Sequence, residues 1–186
     1  AGPVAGRAIR PLEFVTTIAT GISAWYRTGV RALELCPEPN LPRGGYGTCW
    51  RSAAEFVEWW SQAADVLRRL FPEIRIGWPG FAPTWMARTL AGVGEETFVG
   101  AASATTQLDW VGVRAHWGDE REILAESGGL NPGDARQAWP GRLLIVTGFG
   151  PIDPSEPEPD RARQCARFVD QLQALPGVAA AFTAVM

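Results

Sequence analysis

The sequence predicts an α/β fold of about five parallel strands alternating with helices, in one domain spanning residues 1–186. Two observations carry that expectation. Short apolar runs recur between longer segments whose apolar residues fall at helical spacing. The runs are apolar on both faces, so both faces need cover, which parallel strands joined by right-handed helical crossovers provide. Pattern alone fits a five-stranded doubly wound layer and part of a (β/α)8 barrel equally well.

Each element has its own justification. From Pro11 to Arg27, Val15, Ile18, Ile22 and Trp25 share a helical face, and Gly29 is placed to stop the helix. Val30 to Cys36 is short and apolar enough for a buried strand. Ser52 and Glu55 form a Ser-x-x-Glu capping box. Behind it Phe56, Trp60, Ala63, Leu67 and Leu70 line one face, with Glu58, Gln62, Asp65 and Arg69 on the other, which makes this the best-defined helix. Ile74 to Trp78 is the next strand, closed by Pro79-Gly80, and an Ala/Thr-rich, weakly helical stretch follows between Thr84 and Thr106. Trp110 to His116 is a strand, and Glu120 to Glu126 a short helix ended by Gly128-Gly129. Leu143 to Thr147 is a very apolar strand. Asp160 to Leu175 is a helix with Cys165, Phe168, Leu172 and Leu175 on one face, stopped by Pro176-Gly177, and Val178 to Val185 is the last strand. No internal repeat stands out.

Composition narrows the function classes. The net charge of −3 and pI near 5.3 argue against a nucleic-acid partner, which normally demands a basic face. All seventeen cationic side chains are Arg, which reads as biased base composition. No apolar run reaches the roughly 20 residues that span a bilayer, so no membrane partner is expected, and no signal pattern opens the chain. The compartment is left open. Cys36, Cys49 and Cys165 cannot all pair within one chain and are read as reduced, buried thiols. With no Cys-x-x-Cys spacing and His116 as the lone histidine, neither a metal site nor another cofactor is expected. Nine tryptophans fill core for the most part, although flat indole faces also suit sugar rings.

In either architecture ligands gather at the carboxyl ends of the strands. The first strand ends Leu33-Glu34-Leu35-Cys36-Pro37-Glu38-Pro39-Asn40-Leu41. This resembles the fourth barrel strand of clan A retaining glycoside hydrolases, which typically ends Asn-Glu-Pro-Asn-Leu. Trp50 to Trp60, the Leu67 to Pro72 turn and Gly77-Trp78-Pro79-Gly80 resemble the family's next helix and fifth strand. Asp109-Trp110-Val111-Gly112-Val113 resembles its sixth strand, which usually continues His-x-Tyr where this chain has Arg114 and His116. Leu144-Ile145-Val146-Thr147-Gly148-Phe149-Gly150 resembles the seventh, where the family's Thr-Glu carries the nucleophile. The likeness runs in order from about Pro11 to the end.

The resemblance implies a partial (β/α)8, TIM-barrel-like fold comprising strands four to eight. It makes Glu38 the general acid/base, leaves Pro37 where a sugar-binding Asn belongs, and puts Gly148 at a degenerate nucleophile position. Asn40, Trp78, Arg114, His116 and Trp117 become candidate substrate contacts, with Trp139 a further candidate sugar platform. Each has a plainer role. Trp78, Trp117 and Trp139 suit core packing, His116 suits a satisfied polar group at a strand end, and Gly148 suits a tight strand terminus. Glu34 shares a face with Glu38 and suits a buried ion pair with an Arg. Asp119, Glu120 and Asp153 follow the sixth and seventh strands and are candidates for a relocated carboxylate.

Retaining hydrolysis requires two carboxyl groups about 5–5.5 Å apart. Glycine offers no nucleophile, and the rate penalties for removing several transition-state interactions multiply. The expectation is a catalytically impaired glycoside-hydrolase-like domain with a carbohydrate-binding or assembly role. The alternatives are an active hydrolase using Glu38 with a relocated carboxylate, and a structural subunit pairing through exposed sheet edges. A family barrel has eight strands, so the expected partners are carbohydrate and either another copy of the chain or a separate chain completing the barrel.

Overall fold

A computed structural model describes residues 7–102, 108–123, 139–153 and 155–183. The elements in order are α1 (Pro11–Arg27), β1 (Ala32–Glu34), a 310 turn (Pro42–Gly44), α2 (Ala53–Leu70), β2 (Arg75–Trp78), α3 (Thr84–Thr89), α4 (Glu95–Ala102), β3 (Trp110–Trp117), a 310 turn (Glu120–Glu122), β4 (Leu144–Pro151), α5 (Glu158–Gln173) and β5 (Val178–Thr183). All five strands are parallel and lie side by side in chain order. A doubly wound layer reverses its strand order at a switch point, and this sheet does not. Successive right-handed crossovers in one direction stack the helices on one face and leave the other to curl inward. The result is a half-barrel.

The helices form for the reasons their sequences give. Ser52 caps α2, its hydroxyl accepting from the Glu55 N–H at 3.2 Å. The reciprocal arm of the capping box is displaced by one residue, because Glu55 Oε2 accepts from the Arg51 N–H at 2.7 Å. Phe56, Trp60, Ala63 and Leu67 are buried as their spacing demands, whereas Leu70 and Trp25 at the ends of their stripes stay exposed. The Ala/Thr-rich segment resolves into two short helices, α3 and α4. Residues 124–126 and the Gly128-Gly129 stop lie outside the described residues, as does Val185.

Alternation along β3 separates core from interior. Val111, Val113, Ala115 and Trp117 are buried on the helix side, and Gly112, Arg114 and His116 face the concave interior. Two aromatic clusters cement the helix side. Phe56 and Trp60 of α2 meet Trp78 of β2 at ring separations of 5.3 and 5.1 Å. Phe168 of α5 meets Trp117 at 5.3 Å and Phe149 at 4.8 Å.

Candidate functional site at the strand ends

The chain leaves β1 through a strained corner. Cys36 and Glu38, on either side of Pro37, take φ of +53° and +55°, a left-handed conformation that costs non-glycine residues about 1–2 kcal/mol each. The surroundings hold it there. The Glu38 N–H donates to Gly80 O at 2.9 Å, and its carbonyl accepts from the Leu41 N–H at 3.1 Å. Trp50 Nε1 donates to Pro39 O at 2.8 Å. Gly44 packs so closely that a Cβ there would lie 2.0 Å from the Glu38 carbonyl oxygen. The buried Glu38 carboxylate accepts from Arg43, from Nε at 3.1 Å and also from Nη2.

Glu34 is the second inward carboxylate. Its Oε1 accepts from the Gly80 N–H at 2.8 Å and from Thr147 Oγ1 at 2.9 Å, and its Oε2 lies 3.7 Å from Arg114 Nη2. The ion pair with an arginine that suits its position thus forms with Arg114. Burial pushes the Glu34 carboxyl above its ordinary pKa, against the pull of Arg114 and with a further upward push from Glu38.

Arg114 ties this group to the seventh-strand position of the family pattern. A Cβ built on Gly148 would meet Arg114 Nη1 at 2.3 Å and its Cζ at 3.1 Å. The φ of Gly148 is outside the left-handed region, so lack of volume, rather than backbone freedom, is what this site uses. A bulge between Val113 and Arg114 sets the register that brings the two together, pairing Arg114 with Gly148. His116 is buried two residues on, with Nδ1 3.4 Å from Gly150 O. Burial lowers its pKa, opposed by the nearby Glu38 charge, which keeps the imidazole neutral at neutral pH.

Three residues expected to touch substrate have other occupations. Asn40 is fully buried and spends its carboxamide on the backbone, accepting from the Ala82 N–H and donating to Ala82 O and Val93 O at 2.8–3.0 Å. Trp78 and Trp117 point into the helix-side core, Trp117 donating from Nε1 to Gln164 at 2.6 Å. Trp139 is buried as well. An outward-facing strand position turns its ring toward the helices, which is the physical reason for the placement of Trp78 and Trp117.

The candidate relocated carboxylates are engaged locally. Asp119 and Glu122 cap the Glu120–Glu122 turn, Glu120 pairs with Arg163 and Arg167, and Asp153 accepts from Ser155. Among the described residues no hydrogen bond or ion pair joins any of them to Glu34 or Glu38. Neither Arg43 nor Thr147 is marked by sequence pattern as a partner of the inward carboxylates; Arg43 lies five residues past Glu38 in a loop without a motif. Among the described residues no cluster of His, Cys, Asp and Glu is arranged to hold a metal, and no helix is long and apolar enough to cross a membrane.

No family model matches the sequence, and no curated protein matches it. Solved structures do. A GH128 (subgroup II) endo-beta-1,3-glucanase from Sorangium cellulosum superposes with a TM-score of 0.59 at 17% identity, over 90% of this chain and 63% of that one. A GH128 (subgroup VI) exo-beta-1,3-glucanase from Aureobasidium namibiae gives 0.58 at 17% identity, over 88% and 58%. An endo-1,4-beta-D-mannanase from Thermotoga petrophila gives 0.52 at 17%, over 82% and 45%. The chain spans about three-fifths of the length of the two glucanases. At this identity the likeness concerns the backbone arrangement, and the chain carries a half-barrel fold like part of the fold of these glycoside hydrolases.

Proposed function

We propose that this domain binds carbohydrate at the carboxyl ends of its strands and does not hydrolyse glycosides by the retaining route. One observation carries the reading: the guanidinium of Arg114 fills the space in which a side chain at position 148 would begin. A retaining enzyme needs a carboxylate in such a position, about 5–5.5 Å from its acid/base. Here a cation stands there, and a cation opposes the positive charge that develops on the sugar ring in the transition state. Glu38, the acid/base position by resemblance, is engaged by Arg43, and Glu34 is anchored by Gly80 and Thr147. The concave face keeps its polar groups, Glu38, Arg114 and His116, and these are the proposed sugar-contacting residues.

The test pairs binding with hydrolysis. Calorimetric titration with a panel of oligosaccharides is expected to show binding by the parent chain, weakened by Glu38→Gln, while aryl glycosides of the same sugars stay uncleaved. Hydrolysis by the parent that Glu38→Gln abolishes would overturn the reading in favour of an active enzyme. The Gly148→Glu variant, alone and with Arg114→Ala, asks whether a restored carboxylate revives cleavage.

A second reading is assembly through sheet edges. Beside the edge strand β1, Ile22, Trp25, Val30 and Leu33 line a cavity of about 260 Å³, and Trp25 is 56% exposed. Phe182 on the opposite edge strand, β5, is 59% exposed. Apolar edges of this kind favour pairing with a second copy. Light scattering at micromolar concentration distinguishes the cases: a dimer supports assembly, and a monomer removes it.

A further inference from the structure

We propose that the Arg114 guanidinium recognises a carboxylate carried by a sugar, so that the ligand of the strand-end site is an acidic, uronate-containing glycan. The inference rests on the carbohydrate-binding reading and names its substrate class. Arg114 lies in a slot made by two glycines on neighbouring strands and their ends. A Cβ on Gly80 would fall 2.8 Å from Arg114 Cγ, and one on Gly148 would fall 2.3 Å from Nη1. A side chain at either position would collide with Arg114, with its stem from Gly80 and with its guanidinium from Gly148.

The guanidinium is poorly satisfied for a group so enclosed. Its side chain is 16% exposed, its Nε is buried without a hydrogen-bond partner, and its ion pair with Glu34 runs at 3.7 Å, beyond hydrogen-bond reach. Arginine carries five N–H donors in a planar fork and no acceptor. Enclosing such a group with so few bonds is costly, and a matching acceptor recovers that cost. A planar carboxylate fits the fork two oxygens to two nitrogens, and charge-assisted bonds of this kind are roughly twice as strong as those to neutral hydroxyls.

The neighbouring charges leave Arg114 available. Glu38 is matched by Arg43. Glu34 commits Oε1 to Gly80 and Thr147, and its Oε2 stands 3.7 Å from the arginine, beyond hydrogen-bond reach. His116, also enclosed, adds no charge at neutral pH because burial lowers its pKa. The group that stands beside position 148 is thus a cation, where a retaining hydrolase would have a carboxylate.

The experiment titrates the full chain calorimetrically with an oligoglucuronate and with a neutral oligoglucan of equal length. The acidic oligosaccharide is expected to bind about tenfold or more tightly than the neutral one. Arg114→Gln should erase that preference, and Arg114→Lys should restore only part of it, since the ammonium lacks the fork. If Arg114→Gln does not fold, Gly148→Ala serves instead: it keeps the charge but drives Nη1 from its slot, and should reduce the preference. Equal affinity for the two oligosaccharides, or a preference that survives both Arg114→Gln and Gly148→Ala, overturns this inference and leaves the carbohydrate reading standing. Absence of binding to either oligosaccharide, and to the wider panel, overturns both.

Discussion

Replacing Asn40 with Ala separates a structural role from a sugar-binding one. The carboxamide holds three loops together: the one after β1, in which it sits, the one after β2 through Ala82, and the one before α4 through Val93. Three hydrogen bonds at 2.8–3.0 Å, the two to Ala82 buried and the one to Val93 partly so, vanish with it. Each such bond contributes about 1 kcal/mol net, and a buried N–H left without a partner adds about 1–3 kcal/mol, so the loss should be about 4–6 kcal/mol. Domains of this kind are stable by about 5–15 kcal/mol, so the variant should fold with a much lower urea midpoint. Asn40→Asp should lose comparable stability at neutral pH, because it replaces the Nδ2 donors with an oxygen facing two carbonyls. Urea unfolding followed by tryptophan fluorescence reads both variants. A loss below about 1 kcal/mol in each would refute the clamp. Unchanged stability with abolished glycan binding would return Asn40 to the ligand.

Other perturbations follow the same logic. Gly44→Ala sets a Cβ against the backbone oxygen of Glu38, which cannot swing aside, and should cost about 2–3 kcal/mol in thermal or urea unfolding; an unchanged melting temperature would mean that the loop relaxes freely. Gly148→Ala should destabilise the parent chain more than it destabilises an Arg114→Ala background, with a coupling of about 1 kcal/mol, and simple additivity would show that the two side chains do not share space. His116 has a lowered pKa in the folded state, so its contribution to stability is full above the ordinary histidine value of about 6.5 and is lost as pH falls through that value toward the folded one. Parent stability should therefore fall between pH 7 and pH 5 more steeply than that of His116→Gln; parallel curves would contradict the burial of a neutral imidazole.

The alternation of strands and helices was legible because periodicity is a local property. The bounds of α1 appear in the sequence at the residue, and Phe56, Trp60, Ala63 and Leu67 are buried where their spacing places them. The choice of a half-barrel over a doubly wound layer was not legible from pattern, because strand order is set by long-range pairing; the resemblance supplied it, and the sequential order of five strands agrees. Side-chain direction at the strand ends was the harder inference. Trp78 and Trp117 sit in site-like segments, yet period-2 alternation turns both toward the helices, while Arg114 and His116 turn inward. The bulge between Val113 and Arg114 decides how β3 meets β4, and nothing in the residue types announces it. The role of Asn40 was no more legible, because an amide beside a proline loop serves a backbone as readily as a sugar.

The inward charges are arranged by pairing rather than by opposition. An acid/base couple in a hydrolase works because two carboxyl groups face one reacting bond from different environments, which keeps one protonated and one ionised. Here Glu34 and Glu38 lie on one strand end, and each is faced by its own arginine, Arg114 and Arg43. Glu34 is further fixed by a backbone N–H and a threonine hydroxyl, so swinging it toward a ligand would break two hydrogen bonds as well as an ion pair. Arg114 in turn requires that position 148 have no side chain. The residues at 114 and 148 are therefore mutually dependent: a carboxylate at position 148 would have to displace the guanidinium, and the displaced guanidinium would leave Glu34 buried without its countercharge. A side chain at position 148 has no room while the Arg114 guanidinium stands there, so Gly148→Glu combined with a shorter residue at 114 tests that position more directly than Gly148→Glu alone.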